Sequence, residues 1–120
     1  MKLGSRVLDW EKLATITTAV GERRDFFDSP TATLRNFEGH ATTLNAGETP
    51  HAPHQHADEE LLIVKSGTVE LTINGVAQRA AAGAVVFIAA NDLHALRNVG
   101  DTRATYYVFR FLTADTSVAK

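Results

Sequence analysis

The pattern of hydrophobic and polar residues is most regular in one short segment, where the two types alternate with a period of two. In Thr68–Ile73, three apolar side chains fall on one face and three polar side chains on the other, which predicts a half-buried β-strand. Asn74 and Gly75 follow directly, and this pair favours the left-handed backbone of a tight type I′ turn. The pattern therefore predicts a β-hairpin at this point of the chain.

Other short segments rich in β-forming residues lie on both sides of this hairpin. Residues 60–66 contain four consecutive apolar residues, so this strand should be covered on both faces and lie in the middle of the fold. Further strands are predicted over residues 37–44, 84–88, 94–98 and 103–112. Glycines and turn dipeptides separate them at short intervals, and none has helical spacing. This organisation predicts an all-β sandwich or barrel.

The first 36 residues have a less regular pattern. They contain a possible helical turn or strand over residues 8–13, a threonine-rich extended run over residues 15–20 and a turn at residues 28–30. We interpret residues 1–36 as an N-terminal arm that packs on the barrel and residues 37–113 as the barrel itself. Together they form a single domain, because 120 residues is a common size for one hydrophobic core.

The amino-acid composition narrows the range of possible functions. The chain has 44% hydrophobic residues and a net charge of -2, which predicts a folded protein with no overall attraction to nucleic acid or to anionic membranes. It has no cysteine, so any metal must be held by nitrogen and oxygen atoms, and a cysteine nucleophile is excluded. The first ten residues lack the apolar run of a signal peptide, which predicts a cytoplasmic protein.

Histidines form the most specific feature of the sequence. His51, His54 and His56 fall within six residues. In an extended segment, His54 and His56 share one face, and Glu60 has the same parity. His94, on a later predicted strand, could complete a set of four ligands.

The neighbouring acidic residues leave an alternative for the carboxylate. Asp58 and Glu59 lie beside Glu60, and a shift of register by one residue would exchange the two faces of the strand. Glu60 has the parity of the histidines. Glu59 should point away from His56 and is interpreted as a solvated charge at the rim.

The residues around these histidines resemble the two motifs of the cupin superfamily. The first motif is a glycine, His-x-His, a glutamate and a second glycine. Its positions in this chain are Gly47, His54, His56, Glu60 and Gly67, with the first spacer longer by one residue.

The second motif has a glycine, a proline, a glycine, a histidine and an asparagine at fixed spacing. Its positions here are Gly83, Ala89, Asn91, His94 and Asn98, with every spacing kept. Ala89 and Asn91 replace the usual proline and glycine. Asparagine tolerates the left-handed backbone conformation that glycine normally adopts.

The resemblance implies a fold, a cofactor and a function. The implied fold is a double-stranded β-helix, or jelly-roll barrel, and the implied cofactor is one divalent ion of Fe, Mn, Ni, Cu or Zn per chain, bound by His54, His56, Glu60 and His94. The implied function is that of an enzyme acting on a small organic substrate, of oxygenase, isomerase or cyclase type. The alternative is a non-catalytic module that binds a metal or a small molecule.

Several other residues receive structural interpretations. His51 is expected at the rim, and His40 is expected to be a satisfied structural histidine. Asn98 is expected to serve the fold rather than the metal. The arginines, including Arg110, are expected to be solvated.

Two expectations concern partners. The inner wall should be apolar, because three residues share the parity of Glu60 and His94, namely Leu62, Val64 and Leu96. This wall would favour a substrate with an apolar body.

A homodimer is also expected, with residues 15–20 covering an exposed strand edge of a neighbouring subunit.

Overall fold

The strands of the chain form two antiparallel sheets. The computed structural model describes residues 2–113, and in this range the one helical element is a 3₁₀ turn at Trp10–Lys12. The strands are β1 (Ile16–Thr18), β2 (Gly21–Ser29), β3 (Leu34–Leu44), β4 (Glu59–Ser66), β5 (Thr68–Ile73), β6 (Val76–Ala81), β7 (Val85–Ile88), β8 (His94–Asn98) and β9 (Ala104–Thr113). The predicted all-β fold is confirmed.

The sheets differ in size. The larger sheet has the strand order β1-β2-β3-β9-β4-β7 and the smaller has the order β6-β5-β8. Strands that are neighbours in space are often distant in sequence, as in a jelly-roll barrel. The core contains side chains from both sheets, including Leu62 and Val64 of β4, Leu71 of β5, Leu96 of β8 and Val108 of β9.

The strands predicted after residue 59 are present, with small differences at their ends. β5 and β8 have the predicted bounds, whereas β4, β7 and β9 differ by one residue at one or both ends. β4 lies between β9 and β7, which confirms its interior position. Asn74 and Gly75 have φ angles of 49° and 84°, as the hairpin requires.

The N-terminal region contributes more to the sheet than its pattern indicates. β2 is a strand of nine residues that pairs with β3, and the sequence did not predict it. The register shifts between Asp25 and Phe27, so the side chains before and after this point do not keep one alternating pattern. The sequence of β2 therefore has no regular period of two. The boundary expected after residue 36 falls within β3, and β1 pairs with β2 of its own chain.

Asn98 has the structural role expected of it. Its side chain is completely buried, and its amide nitrogen donates to the carbonyl oxygens of Leu44, Asn45 and Thr102 at 3.0, 3.2 and 2.8 Å. It therefore ties β8 to the end of β3 and to the loop before β9. No helix in residues 2–113 has the length and apolar character to span a membrane.

Candidate metal centre

Three histidines converge at one end of the barrel. His54 lies in the loop before β4, and it forms an isolated β-bridge with His94 at the start of β8. Two backbone hydrogen bonds of 3.0 and 2.9 Å join these residues. His56 follows two residues later, and one ring nitrogen from each histidine lies within 4.8 Å of the others. Residues that are 40 positions apart in sequence thus face one point.

Glu60 approaches the same point from β4. Its Oε1 lies 3.2 Å from Nε2 of His56 and 3.9 Å from Nε2 of His94. The glutamate is 7% exposed. Glu59 pairs with Phe111 and has the opposite parity along the strand. All four residues that the sequence singled out are therefore close together, although the compact group of possible ligands comprises the three histidines.

Hydrogen bonds on the far side of two rings direct their Nε2 atoms toward this point. Nδ1 of His94 lies 2.8 Å from the carbonyl oxygen of Asp92, and Nδ1 of His56 lies 2.9 Å from that of Asp58. A carbonyl oxygen only accepts, so each Nδ1 carries the proton and each Nε2 is the unprotonated ring nitrogen. Nε2 of His94 lies 3.1 Å from Nε2 of His54, within hydrogen-bond distance. Nε2 of His56 is buried and has no hydrogen-bond partner. A buried nitrogen lone pair without a partner is suited to a metal ion.

The surroundings of His54 favour its neutral form. Burial, followed by the charges of His51, His94 and His56 and of Arg110, lowers the pKa of His54 to about 4. The neutral imidazole is the form that binds a metal. The ring of His51 stacks on His54 with 3.8 Å between centroids, and His51 is exposed, as expected of a residue at the rim.

A cavity of about 510 Å³ adjoins the histidines. Part of its wall is apolar and comprises Leu62, Leu71, Ile88 and Leu96. Leu62, Val64 and Leu96 all belong to the core, and of these Leu62 and Leu96 also border the cavity.

The remaining wall is more polar than the sequence indicated. Side chains from β2, β3 and β9 line it, including Asp28, Glu38, Thr42 and Arg110. His40 also lies in this wall, where its Nδ1 contacts Oε2 of Glu38 at 2.7 Å. His40 is thus a satisfied buried histidine, as expected, but it also borders the cavity.

Arg110 is not a solvated side chain. Its Nε and Nη2 donate to the two carboxylate oxygens of Asp58 at 2.7 and 3.0 Å. Burial raises the pKa of Asp58, but the hydrogen bonds and charge of Arg110 outweigh burial and hold the pKa below its ordinary value. Sequence reasoning missed both roles. The one available signal was the parity of Asp58, which lies two residues from both His56 and Glu60.

Comparisons with known proteins agree with this arrangement. A sequence model of the cupin domain, Cupin_2, matches residues 40–110, which is more than half of the chain. The chain belongs to the cupin family. The matched region contains all four candidate ligands. No curated protein matches the sequence.

Solved structures of other cupins share the fold. An RmlC-like cupin from Shewanella frigidimarina has a TM-score of 0.72 at 14% identity, over 96% of this chain and 97% of that one. The polyketide cyclase RemF from Streptomyces resistomycificus has a TM-score of 0.72 at 14% identity, over 98% and 87%. A sugar phosphate isomerase of the cupin superfamily from Silicibacter pomeroyi has a TM-score of 0.69 at 17% identity, over 90% and 76%. At these identities the likeness establishes the fold alone.

Proposed function

We propose that this cupin binds one divalent metal ion through His54, His56, Glu60 and His94, and that it is an enzyme acting on a small organic substrate in the adjoining cavity. The observation that carries the proposal is the buried Nε2 of His56, which has no hydrogen-bond partner and lies beside the nitrogens of two other histidines and a carboxylate. Without an ion, that nitrogen lone pair faces the carboxylate oxygen of Glu60 at 3.2 Å, and an acceptor does not replace the lost water.

The four side chains form a suitable set of donors. Three neutral imidazoles and one carboxylate suit Fe, Mn, Ni, Cu or Zn as divalent ions. The hydrogen bonds from Nδ1 of His56 and His94 supply the outer contacts that usually orient histidine ligands. A bound ion would supply Lewis-acid polarisation, with open positions for a substrate if it is octahedral.

The cavity supports binding of an organic molecule rather than of the ion alone. Its volume of about 510 Å³ is within the range of small-molecule sites. Leu62 and Leu96 can exclude water from one side of a ligand, while Glu38 and Arg110 offer polar contacts on the other. Two cupins with the same fold are a polyketide cyclase and a sugar phosphate isomerase, which supports a small organic substrate for this chain.

Turnover by the metal-loaded protein tests the enzymatic part of the proposal. The protein is loaded anaerobically with Fe²⁺ and supplied with catechols, diketones and keto acids, while oxygen uptake and NMR spectra are followed. Turnover by the parent that is absent from the His94→Ala variant is the expected result. Metal binding without turnover of any of these compounds would favour a non-catalytic binding module.

A further inference from the structure

The ring of His56 is held by a side chain, unlike the other two candidate histidine ligands. Its Nδ1 lies 2.8 Å from Oδ1 of Asp58, in addition to the contact with the carbonyl oxygen of the same residue. Nδ1 of His94 contacts a backbone carbonyl. In the part of the chain that the structure describes, no hydrogen bond is seen at Nδ1 of His54, whose ring stacks on His51.

Asp58 is itself fixed from a different strand. Arg110 of β9 binds both of its carboxylate oxygens, which is the bidentate geometry that restricts a carboxylate most strongly. The side chains of Asp58 and Arg110 are 15% and 33% exposed, so water competes only partly for the pair. Arg110 is also directly opposite Glu60 in the strand register, with its Nε 4.0 Å from Oε1 of Glu60.

The position of this pair argues against a role in strand pairing alone. β4 and β9 are already joined by an unbroken register that runs from Glu59 opposite Phe111 to Val64 opposite Tyr106. An ion pair between the loop before β4 and the middle of β9 adds little to that ladder. Its contacts lead instead to two candidate ligands, the carboxylate of Glu60 and the imidazole of His56 on the side away from the candidate metal.

We propose that Asp58 and Arg110 are positioning residues that hold His56 in the tautomer and orientation needed for metal binding. The carboxylate of Asp58 lies 2.8 Å from Nδ1 of His56 and shares its N–H with the carbonyl oxygen of the same residue, which keeps the Nε2 lone pair directed at the metal position. Arg110 keeps the carboxylate in place. This inference rests on the proposed metal site, and it predicts that metal affinity depends on two residues that do not touch the ion.

The test is the dissociation constant for Zn²⁺, measured by competition with a chromophoric chelator. Asp58→Ala should weaken binding by about 10- to 100-fold, the usual effect of removing a partner of a histidine ligand. Arg110→Met should weaken it by a smaller factor, and Arg110→Lys should recover part of the loss, because lysine restores the charge but not the bidentate geometry. Glu70→Ala is the matched control, since it removes an exposed partner of Arg79 in the other sheet.

A second measurement separates positioning from general stability. Nitrogen-15 NMR of the metal-free protein reports which ring nitrogen of His56 carries the proton. The parent should have the proton on Nδ1, and Asp58→Ala, which keeps only the carbonyl acceptor of residue 58, should lower the fraction of the Nδ1–H tautomer while the melting temperature changes little. If Asp58→Ala does not fold, Asp58→Leu takes its place, because it keeps about the size of the side chain and removes both acceptor oxygens.

The outcomes distinguish this inference from the proposed function. Tight Zn²⁺ binding by the parent and equal binding by Asp58→Ala or Asp58→Leu would overturn the positioning role and leave the metal site intact. Failure of the parent to bind Zn²⁺ or any of the other four divalent ions would overturn the proposed function and this inference together. Weaker binding by the Asp58 and Arg110 variants, with Glu70→Ala unchanged, would support both.

Discussion

Replacement of Asn98 by alanine should destabilise the fold strongly. The buried amide of Asn98 donates to three backbone carbonyl oxygens, and its Oδ1 accepts from the backbone N–H of Gly100 at 3.0 Å. An amide has two N–H groups, so about two of the three donated bonds can be fully formed at one time. With the accepted bond, alanine removes about three hydrogen bonds.

The expected loss follows from that count. Each hydrogen bond contributes about 1 kcal/mol net, and buried groups left without a partner add to the loss, so the free energy of unfolding should fall by about 3 kcal/mol. Asn36→Ala is the control. The amide of Asn36 donates to Oδ1 of Asp28 at 2.8 Å in an exposed position, so its loss should be below about 1 kcal/mol.

Urea denaturation of the metal-free protein, followed by circular dichroism, measures both values. Asn98→Ala should have a lower midpoint with an unchanged slope, since its native and unfolded states should expose the same surface as those of the parent. A loss for Asn98→Ala that is no larger than the loss for Asn36→Ala would refute the argument that this buried amide holds β8 to its neighbouring loops.

Three further predictions concern the substitution of two glycines, the dependence of stability on pH and the stabilisation by a bound metal ion. Gly67→Ala should lower the melting temperature more than Gly75→Ala does. Both glycines have φ near +80°, but a Cβ at Gly67 would lie 2.7 Å from Cα of Ala104, whereas a Cβ at Gly75 would meet open space. Equal losses of stability would contradict this prediction. Burial, opposed by a hydrogen bond to Thr42 and assisted by the charge of Glu60, raises the pKa of Tyr106 well above 10.0. The unfolded chain therefore loses the phenol proton of Tyr106 at a lower pH than the folded chain does, so stability falls as the pH rises above about 10. Tyr106→Phe should flatten that fall in melting experiments. Parallel pH profiles of the variant and the parent would contradict the raised pKa of Tyr106. Divalent metal at about 100 times its dissociation constant should stabilise the protein by about 2.7 kcal/mol, reversibly with a chelator, and an unchanged melting temperature would argue against binding to the folded state.

Local patterns and the family motif together predicted the four residues that the structure brings close together. His54, His56 and Glu60 share a parity in one extended segment, so their relative orientation depends on local geometry. His94 was placed by its motif, and the backbone bridge to His54 accounts for the approach of the two segments. Alternation with a turn pair likewise predicted β5 and the hairpin after it.

Features that depend on register between distant strands were not predictable from local pattern. Arg110 meets Asp58 because β9 lies beside β4, and no spacing within the sequence encodes that pairing. The polar wall of the cavity was missed for a related reason. The bulge near Phe27 interrupts the alternation of β2, so the pattern does not predict this strand. Glu38 reaches the cavity through a strand order that joins segments distant in sequence. The homodimer stays a prediction, which light scattering can test.

The most direct test of the central claim is the metal content of the purified protein after loading with Zn²⁺ and removal of the excess. The parent and the control Glu70→Ala should each retain about one ion per chain, whereas His54→Ala and His94→Ala should retain almost none while keeping the β-sheet circular dichroism of the parent. Retention of metal by the His54 and His94 variants at the level of the parent, or its absence from the parent under loading with every candidate ion, would contradict the account.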